Sequence, residues 1–304
     1  MTLAFHDGPL YFPVTAFDAG GDVDLEVTGQ VLAAGLEHGP GGVFAACGTG
    51  EFHALSPQES LAVSRTAVEV VGGRVPVLAG VGGPIGQAVA SVRELEGVGV
   101  DGVLLLPPYL VGSSQDGLAR YVGRVADASG LPVVVYHRGT AQFSAETVRR
   151  LVAEHPTIAG FKDGVGDVAL AQEIVLAARS VRDDLQFFNG LLTAEASQVA
   201  YRALGVPLYS SAVFAMAPAI ATAFYRAYTA GDQAACDRLL VGFFHPLIHL
   251  RDTTPGYAVS LIKAGLRLSG DDVGGVRSPL TDPGAEHLER LAGLLRAGEE
   301  LVAA

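Results

Sequence analysis

A chain of 304 residues, 49% hydrophobic and 17% charged with 39 glycines, suits one large α/β domain, or a domain with an appendage, that buries a sizeable core. Its net charge of −12 and the lack of a basic run argue against a nucleic-acid partner, and its two cysteines, Cys47 and Cys236, make neither a disulfide framework nor a metal-ligand spacing. That cysteine usage fits a reducing cytoplasm, and residues 1–7 lack the positive n-region and long apolar h-region of a signal peptide.

Apolar runs and turn signals alternate along the chain. Strands are expected at 10–17, 42–48, 75–81, 102–107, 131–136, 158–162, 185–189 and 208–214. Helical segments follow them, over 24–38 and then from Ser56-Pro57, Pro84, Gln115, Ser144, Asp167, Thr193 and Pro218. Ser56-Pro57 is a cap residue followed by proline at the first helical position.

Eight strand-helix units with nearly continuous apolar strands predict a parallel sheet closed into a (β/α)8 TIM barrel. A doubly wound open sheet is the alternative, but the first turn carries no G-x-G-x-x-G, and Gly80 to Gly86 is only a near miss. After Gly231 the rhythm turns helical, with helices expected over 232–250, 257–268 and 283–301. This divides the chain into a barrel at 1–231 and a C-terminal helical extension at 232–304. Residues 206–225 carry no formal charge, yet Pro207, Ser210, Ser211 and Pro218 divide them. A buried strand and helix explain them better than a membrane span.

Catalysis in a barrel sits at the C-terminal ends of the strands. Those ends offer Cys47-Gly48-Thr49-Gly50-Glu51, Pro107-Pro108-Tyr109, Tyr136-His137-Arg138-Gly139, Lys162-Asp163, Asn189-Gly190 and Ser210-Ser211. Burial favours the neutral form of an amine, so Lys162 is a candidate Schiff-base nucleophile for a carbonyl substrate. The Gly48-Thr49-Gly50 turn can bind a carboxylate through backbone amides. The structural alternatives are a Lys162–Asp163 pair that braces the barrel mouth, a buried Tyr136 with a satisfied hydroxyl, and a tight connection at Gly48. Glu51 is expected to brace its loop. His245 and His249 have a spacing able to hold a metal, but they flank Pro246 in the appendage, far in sequence from the barrel loops, and no metal cluster is needed.

Gly48-Thr49-Gly50-Glu51 after strand two, Tyr136 after strand five and Phe161-Lys162-Asp163 at strand six resemble the dihydrodipicolinate synthase/N-acetylneuraminate lyase superfamily. The stretches Phe12 to Thr15, Phe44 to Phe52, Gly160 to Gly164, Tyr209 to Phe214 and Pro255 to Gly265 look like its 5-dehydro-4-deoxyglucarate dehydratase branch. The superfamily's usual Gly-Thr-Thr-Gly-Glu is here Cys47-Gly48-Thr49-Gly50-Glu51, so one hydroxyl of the synthase's proton relay is missing, and His137-Arg138-Gly139 replaces the synthase's Asn-x-Pro continuation. Both departures argue against dihydrodipicolinate synthase itself.

The resemblance implies a class I lyase that dehydrates and decarboxylates a small-molecule 2-keto diacid without metal or organic cofactor. It implies Lys162 as the imine-forming residue, Tyr136 as the proton shuttle with the Thr49 hydroxyl beside it, and Gly48 and Thr49 as the carboxylate site. Tyr109 stands where the synthase reaches into a neighbouring subunit, which implies a homo-oligomer, a dimer of dimers. Asn189, Gly190, Ser211 and above all Arg138 are candidates for the distal end of the substrate. The rivals are a same-fold aldolase for 2-keto-3-deoxy sugar acids, a synthase-like lyase and a non-catalytic ligand-binding relative.

Overall fold

The structure, a computed structural model, describes residues 3–303, so Met1 and Thr2 of the N-terminal stretch lie outside the described residues. β1 (Leu10–Tyr11) precedes α1 (Leu25–Leu36), β2 (Gly42–Ala45) precedes α2 (Pro57–Val71), β3 (Val77–Val81) precedes α3 (Ile85–Glu96), and β4 (Gly102–Leu105) precedes α4 (Gln115–Ala126). β5 (Val133–His137) precedes α5 (Ala145–Glu154), β6 (Ile158–Asp163) precedes α6 (Val168–Arg179), and β7 (Gln186–Asn189) precedes α7 (Glu195–Ala203). β8 (Leu208–Ser211) leads into the one-turn α8 (Val213–Met216) and then α9 (Pro218–Ala230). The strands form a closed parallel barrel in chain order, β1 to β8. α10 (Gln233–Leu239), α11 (His245–Arg251), α12 (Tyr257–Leu268) and α13 (Ala285–Ala303) complete the chain. No helix among the described residues is long and apolar enough to cross a membrane.

The local signals act as their chemistry dictates. Ser56 Oγ accepts from Glu59 N (3.2 Å) while Glu59 Oε2 accepts from Ser56 N (2.7 Å), a reciprocal cap that starts α2 with Pro57 inside it. Asp167 Oδ1 accepts from Leu170 N (3.0 Å) and starts α6. Every residue of β2 to β6 is buried, which is why those strands read as continuous apolar runs rather than alternating ones.

The strand expected over 10–17 is paired only at Leu10–Tyr11, and that expected over 42–48 ends at Ala45. Two further expectations need correction. The strand expected over 208–214 ends at Ser211, because Ser211 Oγ accepts from Phe214 N (3.1 Å) and turns the chain into α8. α8 is buried too, so hydrophobicity alone does not mark the change. The helix expected over 232–250 is interrupted by a π turn at Leu240–Phe244 between α10 and α11. Pro246 has no N–H for the i−4 carbonyl, and a widened turn accommodates it.

The chain forms two compact units. One holds the described residues up to Phe5 with Pro76–Ser210, and the other holds His6–Val75 with the described residues from Ser211 onward. In the first, His137, Phe143 and Phe161 pack as a cluster with centroids 5.5 to 6.2 Å apart, and Phe5 meets Phe188 edge-on at 5.4 Å. In the second, Phe12 stacks on Phe44 at 4.4 Å, and α12 approaches α8 so closely that a Cβ on Gly265 would stand 2.7 Å from Met216 Sδ.

Candidate active site

The first unit gathers the lysine and its neighbours through strand register. Tyr136 on β5 pairs with Lys162 on β6, and Lys162 pairs with Phe188 on β7. The next step pairs His137 with Asp163 and Asp163 with Asn189. Successive strand residues point to opposite faces, so Tyr136 and Lys162 share one face and His137, Asp163 and Asn189 the other.

On the first face Lys162 is 4% exposed and its Nζ lies 4.6 Å from the centre of the Tyr136 ring. The Tyr136 hydroxyl donates to the Gly190 carbonyl (3.0 Å) and accepts from Arg138 Nη1 (2.8 Å). Two glycines make room for this packing. A Cβ on Gly190 would stand 2.5 Å from Lys162 Cε, and one on Gly164 would stand 2.7 Å from Tyr136 Cε2. Backbone bonds hold both glycines, Gly164 N to His137 O (2.8 Å) and Gly190 N to Asp163 O (2.6 Å). Arg138 is anchored as well, because its N and O exchange bonds with Ala141 (3.1 and 2.9 Å) across a turn in which Gly139 has φ 56°.

The second face is a bracket. Asp163 Oδ2 accepts a 2.5 Å bond from the Tyr201 hydroxyl on α7, and Oδ1 accepts from Val165 N (2.9 Å). Burial first, and then the Asp163 carboxylate, push the Tyr201 phenol well above its ordinary range, so it stays a donor. His137 Nδ1 accepts from Phe143 N (2.9 Å), and burial lowers the imidazole pKa against the opposing pull of Asp163 and Asp167. A neutral ring with its proton on Nε2 follows. Thus Asp163 pairs with Tyr201 across to α7.

The other residues expected at strand ends divide. Asn189 Nδ2 donates to Ala194 O (3.2 Å) and Ser197 Oγ (2.9 Å), and its Oδ1 accepts from Leu191 N (3.1 Å), so the amide ties β7 to the start of α7. Gly190 sits against both Lys162 and Tyr136. Tyr109 is 66% exposed beside the exposed Leu110 and Val111, and Thr140 Oγ1 ties their loop to the turn after β5 by donating to Pro108 O (3.2 Å).

In the second unit, the turn after β2 exposes Gly48 and half-buries Thr49. Ala46 and Glu51, at its two ends, adopt left-handed φ of 49° and 58°. Such backbone persists in residues other than glycine only where the surroundings fix it. Here Thr15 Oγ1 donates to Gly50 O (2.8 Å), and the buried Glu51 carboxylate accepts from Lys263 Nζ (3.0 Å) and Arg277 N (2.9 Å). Lys263 also donates to Gly275 O (2.6 Å). Lys263 Nζ and Arg277 Cζ lie 3.9 and 4.3 Å from the Phe17 ring centre. Burial lowers the Lys263 pKa, and Glu51 opposes that shift. Ser211 is buried, its Oγ capping α8. His245 and His249 are exposed, and no group of three or more potential metal ligands occurs among the described residues.

Sequence reasoning missed Tyr201 and the packing role of Gly164. Tyr201 lies mid-helix with no motif around it. Gly164 offered only the signal of a glycine directly after Phe161-Lys162-Asp163.

Known proteins share this fold. A model of the dihydrodipicolinate synthetase family matches residues 6–298. A Streptomyces coelicolor protein named probable 5-dehydro-4-deoxyglucarate dehydratase 1 is 51% identical over 302 residues, covering 99% of this chain and 95% of its own. An Azotobacter vinelandii protein named probable 5-dehydro-4-deoxyglucarate dehydratase is 44% identical over 289 residues, covering 95% of this chain and 94% of its own. Among solved structures, a dihydrodipicolinate synthase from Bacillus anthracis superposes with a TM-score of 0.85 at 27% identity, covering 95% of this chain and 98% of that one. The match spans the strands that bear Tyr136 and Lys162 and runs on into the C-terminal helices, so the chain belongs to the dihydrodipicolinate synthetase family.

Proposed function

We propose that this chain is a Schiff-base lyase that converts 5-dehydro-4-deoxyglucarate to 2,5-dioxopentanoate, water and CO2. The observation that carries the reading is the buried Lys162 amine 4.6 Å from the ring of Tyr136, whose hydroxyl is held at fixed direction by Gly190 and Arg138. The names of the relatives at 44–52% identity support the substrate.

Lys162 adds to the substrate ketone, and the carbinolamine hydroxyl takes the Tyr136 proton and leaves as water to give an iminium. The iminium acidifies the adjacent CH2, which gives its proton to the Tyr136 oxygen and becomes an enamine. The enamine expels the β-hydroxyl as water, leaving a conjugated iminium. The bonding electrons of the far carboxylate then flow through that system to nitrogen as CO2 departs. Protonation and hydrolysis release the product and free Lys162. One electron sink serves both steps.

In this reading residues 1–231 are the catalytic barrel and 232–304 a helical extension. Gly48 and Thr49 bind a substrate carboxylate, Thr49 assists proton transfer, and Arg138 with Ser211 serves the distal end. The exposed Tyr109, Leu110 and Val111 are candidates for contact between subunits of a cytoplasmic homo-oligomer, in line with the rule that apolar patches mark interfaces. Incubation with 5-dehydro-4-deoxyglucarate should give 2,5-dioxopentanoate and CO2 in equal amounts. Pyruvate instead would mean aldol cleavage, and no product would mean a non-catalytic relative.

A further inference from the structure

We propose that Arg138 is a positioning residue for proton transfer: it holds the Tyr136 oxygen and carries that oxygen's negative charge while its proton is on the substrate. This role rests on the Schiff-base reading and is separate from any contact of Arg138 with a distal carboxylate.

The geometry defines the role. A phenol has one proton, and that proton points to the Gly190 carbonyl at 3.0 Å. Arg138 Nη1 occupies an acceptor direction of the same oxygen at 2.8 Å. The bond is charge-assisted, and such bonds strengthen when the acceptor becomes an anion. The guanidinium carbon lies 5.7 Å from the ring centre and Lys162 Nζ lies 4.6 Å from it, so Arg138, just after β5, and Lys162, on β6, both lie against one phenol. The Asp163 carboxylate, one residue along β6, is engaged on the opposite face by Tyr201 and Val165.

Arg138 is well placed to keep its aim. Its backbone N and O both bond Ala141, Gly139 supplies the left-handed turn between them, and Gly164 packs the far edge of the Tyr136 ring. Guanidinium has five N–H donors, so Nη1 on the phenol leaves others for a substrate carboxylate.

The proton account balances. When the carbinolamine on Lys162 loses its hydroxyl, Tyr136 gives its proton and water leaves. The phenolate stays bonded to Arg138. It then takes a proton from the CH2 beside the iminium carbon, forming the enamine and restoring the phenol. Eliminating the β-hydroxyl repeats the donation, and the second phenolate is again held by Arg138.

Pyruvate tests this, because it forms the imine and the enamine but has no distal carboxylate. Two readouts are taken on wild type, Tyr136→Phe, Arg138→Met, Arg138→Gln and Arg138→Lys: borohydride trapping of pyruvate on Lys162 after long incubation, and exchange of the pyruvate methyl protons for deuterium followed by NMR. Trapping should persist in the Arg138 variants, while exchange falls by about 10²-fold in Arg138→Met, the lower end of the range for general acid-base loss, and by about 10-fold or more in Arg138→Gln, the size of one charge-assisted hydrogen bond. Arg138→Gln keeps a hydrogen-bond donor and covers the case in which methionine disturbs the fold. Arg138→Lys keeps the charge and should exchange faster than either. Exchange within a few-fold of wild type in Arg138→Gln or Arg138→Met, with trapping intact, overturns the role of Arg138 and leaves the Schiff base standing. Absence of trapped pyruvate on wild-type Lys162 overturns the Schiff-base reading, and this role with it.

Discussion

The side chain of Lys162 runs through the space that a Cβ at position 190 would occupy: its Cε and Cγ lie 2.5 and 2.7 Å from that point. Asp163 O lies 2.8 Å from the same point, so neither the lysine nor the strand can simply withdraw. Gly190 is therefore part of the lysine's seat, and its carbonyl fixes the Tyr136 hydroxyl as well.

Gly190→Ala is expected to displace Lys162. Overpacking of this kind costs about 1–3 kcal/mol. The enzyme should remain folded with a lowered Tm, while kcat falls by at least an order of magnitude, about 1.4 kcal/mol on the barrier. Thermal unfolding and turnover together check this, and wild-type turnover in the alanine variant would show that the seat is not needed.

Tyr136→Phe keeps the ring against Gly164 and removes only the oxygen. The bonds to Gly190 and Arg138 go with it, so a stability loss of about 1–2 kcal/mol is expected from bonds worth about 1 kcal/mol each. The loss in kcat should be far larger, about 10²–10⁴-fold. Urea unfolding and steady-state kinetics on the same preparation separate the two effects. Activity within a few-fold of wild type would leave Tyr136 as a packing residue.

Lys263→Met strands the Glu51 carboxylate, which accepts bonds from Lys263 and Arg277 at zero exposure. Breaking one side of a buried ion pair costs about 3–5 kcal/mol. Adding Glu51→Gln removes the stranded charge, so the double variant should be more stable than Lys263→Met alone. Equilibrium unfolding of the three variants checks the coupling, and simple additivity would contradict it.

His137 gives a pH dependence. Its folded pKa lies below the ordinary 6.5, so the unfolded chain binds the proton more readily. The stability that follows is fully present above pH 6.5 and declines as pH falls through the ordinary value toward the folded one. His137→Asn can keep an acceptor for Phe143 N without titrating. That variant should lose less stability than wild type between pH 7 and 5, measured as urea midpoints; equal losses would assign the decline to other groups.

Much of this was legible from residues alone. The Ile158 to Asp163 run announced a strand ending in lysine, and Ser56, Pro57 and Glu59 announced a cap. The eight units implied the barrel. Strand ends located candidates but not their faces: Asn189 is in register with Asp163, on the face that meets α7, and only the pairing makes that visible. β8 was read too long because α8 is as apolar as a strand. The Glu51–Lys263 pair joins residues 212 positions apart, a distance over which no local pattern operates. The Asp163–Tyr201 bond, 38 positions apart, is hidden for the same reason.

The central claim is that Lys162 is the nucleophile. Lys263 is the competing lysine, but it is wholly buried and bonded to Glu51 and Gly275. Borohydride reduction in the presence of 5-dehydro-4-deoxyglucarate, followed by peptide mass mapping, tests this most directly. The account predicts a stable adduct on the peptide containing Lys162 and none on Lys263, with Lys162→Ala unlabelled and inactive. Label on Lys263, or full turnover with no adduct on Lys162, would contradict it.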